Sequence, residues 1–298
     1  MITTEVSNNT RTSYHKVQID GLEIFYRQAG NLGKPLIFLL HGFPSSSHMF
    51  RNLIEQLSDD YCLIAPDYPG FGYSSCPHPA KFDYTFDRLS EIVEKLIDEL
   101  KLSDITFYMQ DYGGPIGFRV ATRRPELIKG LIIQNANAFE EGIGPDVQKI
   151  GTLHAAGDWK ALNRVVDYMM SLEGIKEQYI FGTANAGLIS PDSYYTDYFL
   201  IMQPGRIEVQ KILFENYGTN FPLYPEWQQY LKEHQPPTLV AWGNNDKIFP
   251  GAGAMAYRQV LPQADVHLFD GGHFLLEEYS KEVAVLIKSF MQSNAGKL

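Results

Sequence analysis

The residues best suited to chemistry lie in the segment YMQDYGGPIG, residues 108–117. An apolar run leads directly into Asp111, and Gly113 and Gly114 then open a helical pattern. A sharp turn from a strand into a helix projects one side chain and is known as a nucleophile elbow. Glycines let the backbone of such a turn approach its neighbours closely, and the helix N-terminus supplies positive potential. The segment therefore predicts Asp111 as a nucleophile.

A carboxylate nucleophile suits attack on a saturated carbon. A serine that attacked such a carbon would leave an ether, which water does not readily break. A carboxylate leaves an ester instead, and the ester carbonyl is open to a second attack by water. Because the ordinary pKa of aspartate is about 3.9, the nucleophile needs no base to activate it. A histidine would therefore act in the second step, on water.

The elements that must position Asp111 follow an α/β pattern. Helical stripes at 89–100 and 275–292 repeat apolar residues at the spacing of one helical face. Short β-rich runs alternate with such helices, which indicates a mostly parallel sheet. The expected strands are residues 14–20, 22–28, 36–40, 61–67, 105–110, 130–135, 238–243 and 266–270.

The stretch 138–221 breaks this alternation. It is long, helical in pattern and rich in tyrosine. It lies where a plain connection between two strands would need only a few residues. We expect an inserted helical cap over 138–221, and a core domain formed by residues 1–137 together with residues 222–298.

With these elements in place, the chain resembles the α/β-hydrolase fold superfamily, and within it the branch with an Asp nucleophile: epoxide hydrolases and haloalkane dehalogenases. The motifs that carry the resemblance are HGFP at 41–44, DYPGFGYS at 67–74, Asp111, Asp246 and GHF at 272–274. Each motif alone is weak, but five in this order span nearly the whole chain. The resemblance implies a mostly parallel central sheet flanked by helices, with an inserted helical cap.

Two further residues complete the expected catalytic group. His273 follows two glycines near a strand end, and Asp246 follows another strand, where open α/β folds build their sites. A catalytic histidine base is usually oriented by a neighbouring carboxylate. His273 is therefore the candidate base and Asp246 the candidate carboxylate that orients it. Some relatives carry the acid at the end of the sixth strand, where this chain has Asn135. An amide there favours Asp246 as the acid, and Asn135 could instead donate a hydrogen bond near Asp111.

The oxyanion that forms when water attacks the ester needs backbone N–H donors. The family geometry implies that these are the amides of Phe43 and Tyr112, the latter directly after the nucleophile. We expect the DYPGFGYS loop to be structural, with Asp67 outside the active site.

The leaving group decides between the reactions that share this machinery. Opening an epoxide requires an acid near the ring oxygen, and a tyrosine hydroxyl suits that role. In epoxide hydrolases two cap tyrosines supply it. We expect Tyr179 and Tyr217 here, since each follows a helical stretch near an expected hinge of the cap. Tyr112 could also face the pocket.

Haloalkane dehalogenases usually have Trp after the nucleophile and often Asn in the HG motif. This chain has Tyr112 and Phe43 at those positions. We therefore expect epoxide hydrolysis. The alternatives are haloalkane dehalogenation, hydrolysis of an ester or lactone, and a non-catalytic binding module of the same fold.

Composition sets further bounds. Among 298 residues, 35 Asp and Glu stand against 25 Lys and Arg, for a net charge of −10. This acidic balance argues against a nucleic-acid partner. The two cysteines, Cys62 and Cys76, show no metal-binding spacing. We expect no cofactor and no metal.

No apolar run approaches the roughly 20 residues that cross a bilayer, and the polar N-terminus does not resemble a secretion signal. We expect a soluble, cytoplasmic enzyme with no membrane partner, acting on a small and largely apolar molecule. The acidic charge and the tyrosine-rich cap are compatible with a homodimer.

Overall fold

One mixed sheet organises the protein in a computed structural model, which describes residues 11–298. The first ten residues, on which the expectation about a secretion signal rests, lie outside this range. Within it, eight strands pair in the order β1-β2-β4-β3-β5-β6-β7-β8. The strands are β1 Ser13–Ile19, β2 Leu22–Ala29, β3 Leu36–Leu40, β4 Cys62–Pro66, β5 Ile105–Gln110, β6 Ile128–Gln134, β7 Thr238–Gly243 and β8 Asp265–Phe269.

Strand burial explains the pairing. β2 pairs antiparallel with both β1 and β4, and the other neighbours run parallel. β3, β4, β5 and β7 are buried at every residue, as apolar strands covered on both faces should be. β1 lies at the edge and alternates between half-buried and exposed residues. The predicted α/β fold with a mostly parallel sheet is confirmed.

Helices flank this sheet. Those outside the stretch between β6 and β7 are α1 Arg51–Leu57, α2 Phe86–Glu99, α3 Gly113–Arg123, α10 Ala252–Ala256 and α11 Leu276–Ser293. The predicted stripe of α2 is buried as expected, and the Thr85 side chain caps its N-terminus by accepting a hydrogen bond from the Arg88 amide.

The connection between β6 and β7 holds the remaining helices of the described range: α4 Pro145–Ala155, α5 Trp159–Met169, α6 Leu172–Ile180, α7 Pro191–Ile201, α8 Arg206–Asn216 and α9 Tyr224–His234. We call residues 138–221, which contain α4 to α8, the insert. The division into a core domain and a cap domain stays a prediction. Over residues 11–298, no helix combines the length and apolar character needed to cross a membrane.

The junction of β5 and α3 depends on a close approach between backbones. A Cβ atom on Gly113 would lie 2.1 Å from the carbonyl oxygen of Leu40 in β3. No real side chain tolerates that distance, so glycine is what lets α3 start directly against the sheet.

We expect Gly113→Ala to destabilise the protein by about 3 kcal/mol, because the added methyl group must push α3 away from β3. Gly151→Ala in α4 is the matched control, since nothing lies within 4 Å of its added Cβ, and it should be neutral or stabilise by up to about 1 kcal/mol. Urea unfolding followed by circular dichroism measures both. Equal stabilities for the two variants would contradict the packing argument.

Candidate active site

Asp111 occupies the turn between β5 and α3. Its φ of +49° lies in the left-handed region, which is uncommon for residues other than glycine. The side chain is almost fully buried. It lies against Gly42, where a Cβ atom would come within 2.2 Å of the Asp111 Cβ. The turn therefore has the sharp, closely packed form that the sequence predicts for an elbow.

The two carboxylate oxygens of Asp111 have different surroundings. The Phe43 amide donates a hydrogen bond to Oδ1 at 2.7 Å. Oδ2 lies 3.9 Å from the Nε2 of His273. Burial raises the pKa of Asp111 to about 6, although the His273 imidazole and the backbone amides of Phe43 and Tyr112 pull it down. Of the two amides that the resemblance implies, that of Phe43 thus donates a hydrogen bond to Asp111.

His273 and Asp246 form a buried pair. The Nδ1 of His273 donates to Oδ2 of Asp246 at 2.7 Å. Asp246 is held in turn by the Asn135 side-chain amide and by the Ile248 backbone amide, each at 2.8 Å. The Asn135 side chain therefore donates to Asp246, whereas its backbone carbonyl accepts a hydrogen bond from the Asp111 amide. Burial disfavours the charged imidazole, but the carboxylates of Asp246 and Asp111 together outweigh that effect and raise the pKa of His273.

Gln110 joins this group, and the sequence reasoning missed it. Its Nε2 lies 2.9 Å from the Nε2 of His273. An amide N–H can donate there only if the imidazole nitrogen carries a lone pair, so the contact fits neutral His273 with its proton on Nδ1. The Oε1 of Gln110 is buried and finds no hydrogen-bond partner among residues 11–298. The sequence signal that could have indicated Gln110 is its position directly before the candidate nucleophile Asp111.

Asp111 opens onto a small apolar cavity of about 40 Å³. Beside Asp111, its wall consists of residues of the insert (Asp146, Val147, Ile150, Met169, Gln178, Phe214 and Tyr217) and residues from the rest of the chain (Phe43, Tyr112, Ile248 and Phe249). An apolar wall with few polar groups is the usual form of a small-molecule site.

Two tyrosines, Tyr112 and Tyr217, belong to this wall. Their ring centroids lie 5.8 Å apart. The Tyr112 hydroxyl is buried, and residues 11–298 offer it no hydrogen-bond partner. Burial raises the pKa of both tyrosines well above the usual value near 10. Both hydroxyls therefore stay protonated and available as donors.

Tyr179 does not face this cavity, contrary to the expectation from the sequence. Its hydroxyl donates to Oδ2 of Asp197 at 2.5 Å, and its ring stacks on Phe274 with centroids 3.8 Å apart. Ser45 donates to the other oxygen of Asp197 at 3.1 Å. Burial raises the pKa of Asp197 to about 7, and a carboxylate so deeply buried requires such donors. Tyr179 is therefore committed to Asp197.

Asp67 lies outside the candidate site, as expected. It accepts hydrogen bonds from the backbone amides of Ser47 at 2.7 Å and Tyr73 at 2.8 Å, which fixes the loop after β4. Across the part of the chain that the structure describes, no three His, Cys, Asp or Glu side chains converge as a metal site would require.

Comparison with known proteins identifies the family. Residues 35–279 match a family described as alpha/beta hydrolase fold. An uncharacterized hydrolase of Saccharomyces cerevisiae, YNR064C, is 40% identical over 96% of this chain and 100% of its own length. A cis-3-alkyl-4-alkyloxetan-2-one decarboxylase of Shewanella oneidensis is 31% identical over 93% of this chain and 87% of its own length.

Among solved structures, that of the epoxide hydrolase CorEH without ligand superposes with a TM-score of 0.77 at 19% identity. The match covers 95% of this chain and 99% of CorEH. At this identity the likeness supports the fold. Together with the family match, it confirms the resemblance drawn from the sequence motifs.

We expect Asp246→Asn to lower the pKa of His273 by about one pH unit, because the carboxylate that favours the imidazolium is removed while burial persists. An NMR titration of ¹³C-labelled histidine side chains measures this change. Asp265→Asn is the control, because Asp265 pairs with His267 and not with His273. An unchanged His273 titration in Asp246→Asn would show that Asp246 does not control its charge.

Proposed function

The chain belongs to the alpha/beta hydrolase fold family, and we propose that it hydrolyses epoxides through an ester formed on Asp111. One observation carries the proposal. Oδ1 of the buried Asp111 carboxylate is held by the Phe43 amide, while the side chain borders a cavity that Tyr112 and Tyr217 also line. The apolar wall suits a small and largely apolar substrate.

In the first step Oδ2 of Asp111 attacks a ring carbon of the epoxide. The bond from that carbon to the ring oxygen breaks, and its electron pair passes to the oxygen. Tyr112 or Tyr217 donates a proton as the alkoxide develops. The product is a hydroxyalkyl ester of Asp111. The Phe43 amide supports this step because it fixes Oδ1 and leaves Oδ2 to react.

In the second step His273 accepts a proton from water at Nε2, and the water oxygen bonds to the Asp111 carboxyl carbon. The negative charge that develops on Oδ1 meets the amides of Phe43 and Tyr112. The bond from the ester carbon to the alkoxy oxygen then breaks, and that oxygen takes the proton held by His273, which releases a diol. The Asp111 carboxyl group returns its remaining proton to the tyrosinate left by the first step, so that the starting charges are restored. The Gln110 amide must give up Nε2 for water to take its place, since the two compete for one lone pair.

A halide leaving group has less support. A halide needs N–H or O–H donors, and the described cavity wall contains neither tryptophan nor asparagine. Phe43 has no side-chain donor at all. The side-chain amide of Gln178 already donates to the carbonyls of Met169 and Gly174. The hydroxyls of Tyr112 and Tyr217 remain for that role.

A strained lactone is the second candidate, because a relative that aligns over 93% of this chain is named as an oxetan-2-one decarboxylase. Attack by Asp111 on the saturated ring carbon that bears oxygen would release a carboxylate, which is a stable anion without a proton. Loss of CO₂ would then form an alkene as the bond to Asp111 breaks. This route consumes no water and needs no tyrosine donor.

The decisive experiment is intact-mass spectrometry of His273→Gln incubated separately with an epoxide, a haloalkane and an oxetan-2-one. Without the base, we expect a lasting adduct that carries the full mass of the epoxide, located on Asp111 by peptide mapping. The double variant Asp111→Ala/His273→Gln is the control and should stay unmodified.

The other outcomes separate the alternatives. An adduct of haloalkane mass less HX indicates dehalogenation. Alkene and CO₂ from the oxetan-2-one, without a lasting adduct, indicate the lactone route. No adduct and no product from any of the three compounds would contradict a role for Asp111 as nucleophile and favour a binding module.

We expect Tyr217→Phe and Tyr112→Phe each to reduce kcat for an epoxide by about 100-fold, since general acids contribute on that scale. Turnover of an oxetan-2-one should change little, because its leaving group needs no proton. Tyr195→Phe, an exposed tyrosine of the insert, is the matched control. Equal losses for both substrates would show that the two hydroxyls act structurally.

A further inference from the structure

A groove adjoins the catalytic cavity. It lies between α4, α5, α6 and the loop after Asp246, and its volume is about 470 Å³. Asp146, Met169, Gln178 and Ile248 line both the groove and the cavity, so the two lie side by side. Sites for small organic molecules measure about 300–1,000 Å³, which the groove satisfies and the cavity of about 40 Å³ does not. A substrate of ordinary size must therefore extend from the cavity into the groove.

The groove has an apolar floor and charged rims. The floor is formed by Leu153, Ala161, Val165, Met169 and Ile248. The rims carry three cations and two carboxylates: Lys149, Arg164, Lys247, Asp146 and Glu177.

Both rim carboxylates contact the same cation, Lys247. Lys247 bonds to Glu177 at 2.5 Å and lies 3.5 Å from Asp146. Glu177 also accepts a hydrogen bond from the Tyr168 hydroxyl at 2.7 Å. With three cations against two carboxylates, the rim carries a net charge of 3 − 2 = +1, and Lys149 and Arg164 are the cations that no carboxylate of the described residues contacts.

Lys149 and Arg164 stand free at the rim. Both are exposed, and neither forms an ion pair with a carboxylate anywhere in residues 11–298. The chain as a whole carries a net charge of −10. The excess of positive charge at the groove is therefore opposite in sign to the charge of the whole chain. A local field of this kind attracts anions to the mouth of a site.

We propose that this groove binds the carboxylate end of an elongated substrate. The alkyl chain of that substrate lies along the apolar floor, and its reactive ring reaches Asp111 through the cavity. The Arg164 guanidinium offers the planar, paired donors that a carboxylate accepts, and Lys149 adds a second charge. The position of the ring at Asp111 rests on the proposed function. The binding of the carboxylate end is inferred from the groove alone.

The first test compares an epoxy fatty acid of medium chain length with its methyl ester. In the wild type we expect the acid to have about tenfold higher kcat/KM at low salt, and the preference to shrink as salt screens exposed charges. In Lys149→Ala/Arg164→Ala, KM for the acid should rise about tenfold while kcat and the constants for the ester stay unchanged. Lys160→Ala is the matched control, because Lys160 is an exposed cation of the same helix α5 outside the groove.

The second test needs no turnover. Decanoate should raise the Tm of the wild type more than decanol does, and the double variant should lose that difference. Equal effects of decanoate and decanol, or a preference that survives in the double variant, would overturn the groove inference. A decanoate preference without any adduct on Asp111 would leave the anion site standing and refute the proposed chemistry, so the two failures are distinguishable.

Discussion

The site depends on keeping the Asp111 carboxylate charged inside an apolar wall. Burial alone pushes its pKa upward, and the Phe43 amide and His273 act against that push. The strained backbone at Asp111 and the bare backbone of Gly42 bring those groups within reach. His273 in turn depends on Asp246 for its orientation and charge. His273 is buried because it lies beside the buried Asp111, and Asp246 is buried because it lies beside His273. Each of these groups therefore needs a further hydrogen-bond or charge partner.

A second buried carboxylate extends this network into the insert. Asp197 of α7 accepts hydrogen bonds from Ser45, two residues beyond Phe43, and from Tyr179, whose ring stacks on Phe274 beside His273. Asp197 therefore contacts the loop of Phe43 directly and is linked to the loop of His273 through Tyr179. A displacement of α7 would remove donors from Asp197, and an unsatisfied buried carboxyl group is costly. The position of the insert and the geometry of the two loops are consequently linked.

Most of the fold and the central residues could be predicted because their signals are local. Fully apolar runs mark the buried strands, and Gly113 and Gly114 mark the turn after Asp111. The roles of Gln110 and Tyr179 could not be predicted in the same way. Gln110 contacts His273, which is 163 residues away, and no local pattern specifies that contact. The partner of Tyr179 depends on how α6 packs against α7, which the spacing of tyrosines along the chain does not determine.

The two tyrosines of the cavity come from different parts of the chain, and this affects the chemistry available. Tyr112 follows the nucleophile directly, whereas Tyr217 comes from the end of the insert, and their ring centroids lie 5.8 Å apart. Asp111, His273 and Asp246 all lie outside the insert. A leaving group that needs a proton therefore depends on the insert being in place, whereas a leaving carboxylate does not. The same Asp111 could thus serve either reaction, and the position of Tyr217 would decide how well it opens an epoxide.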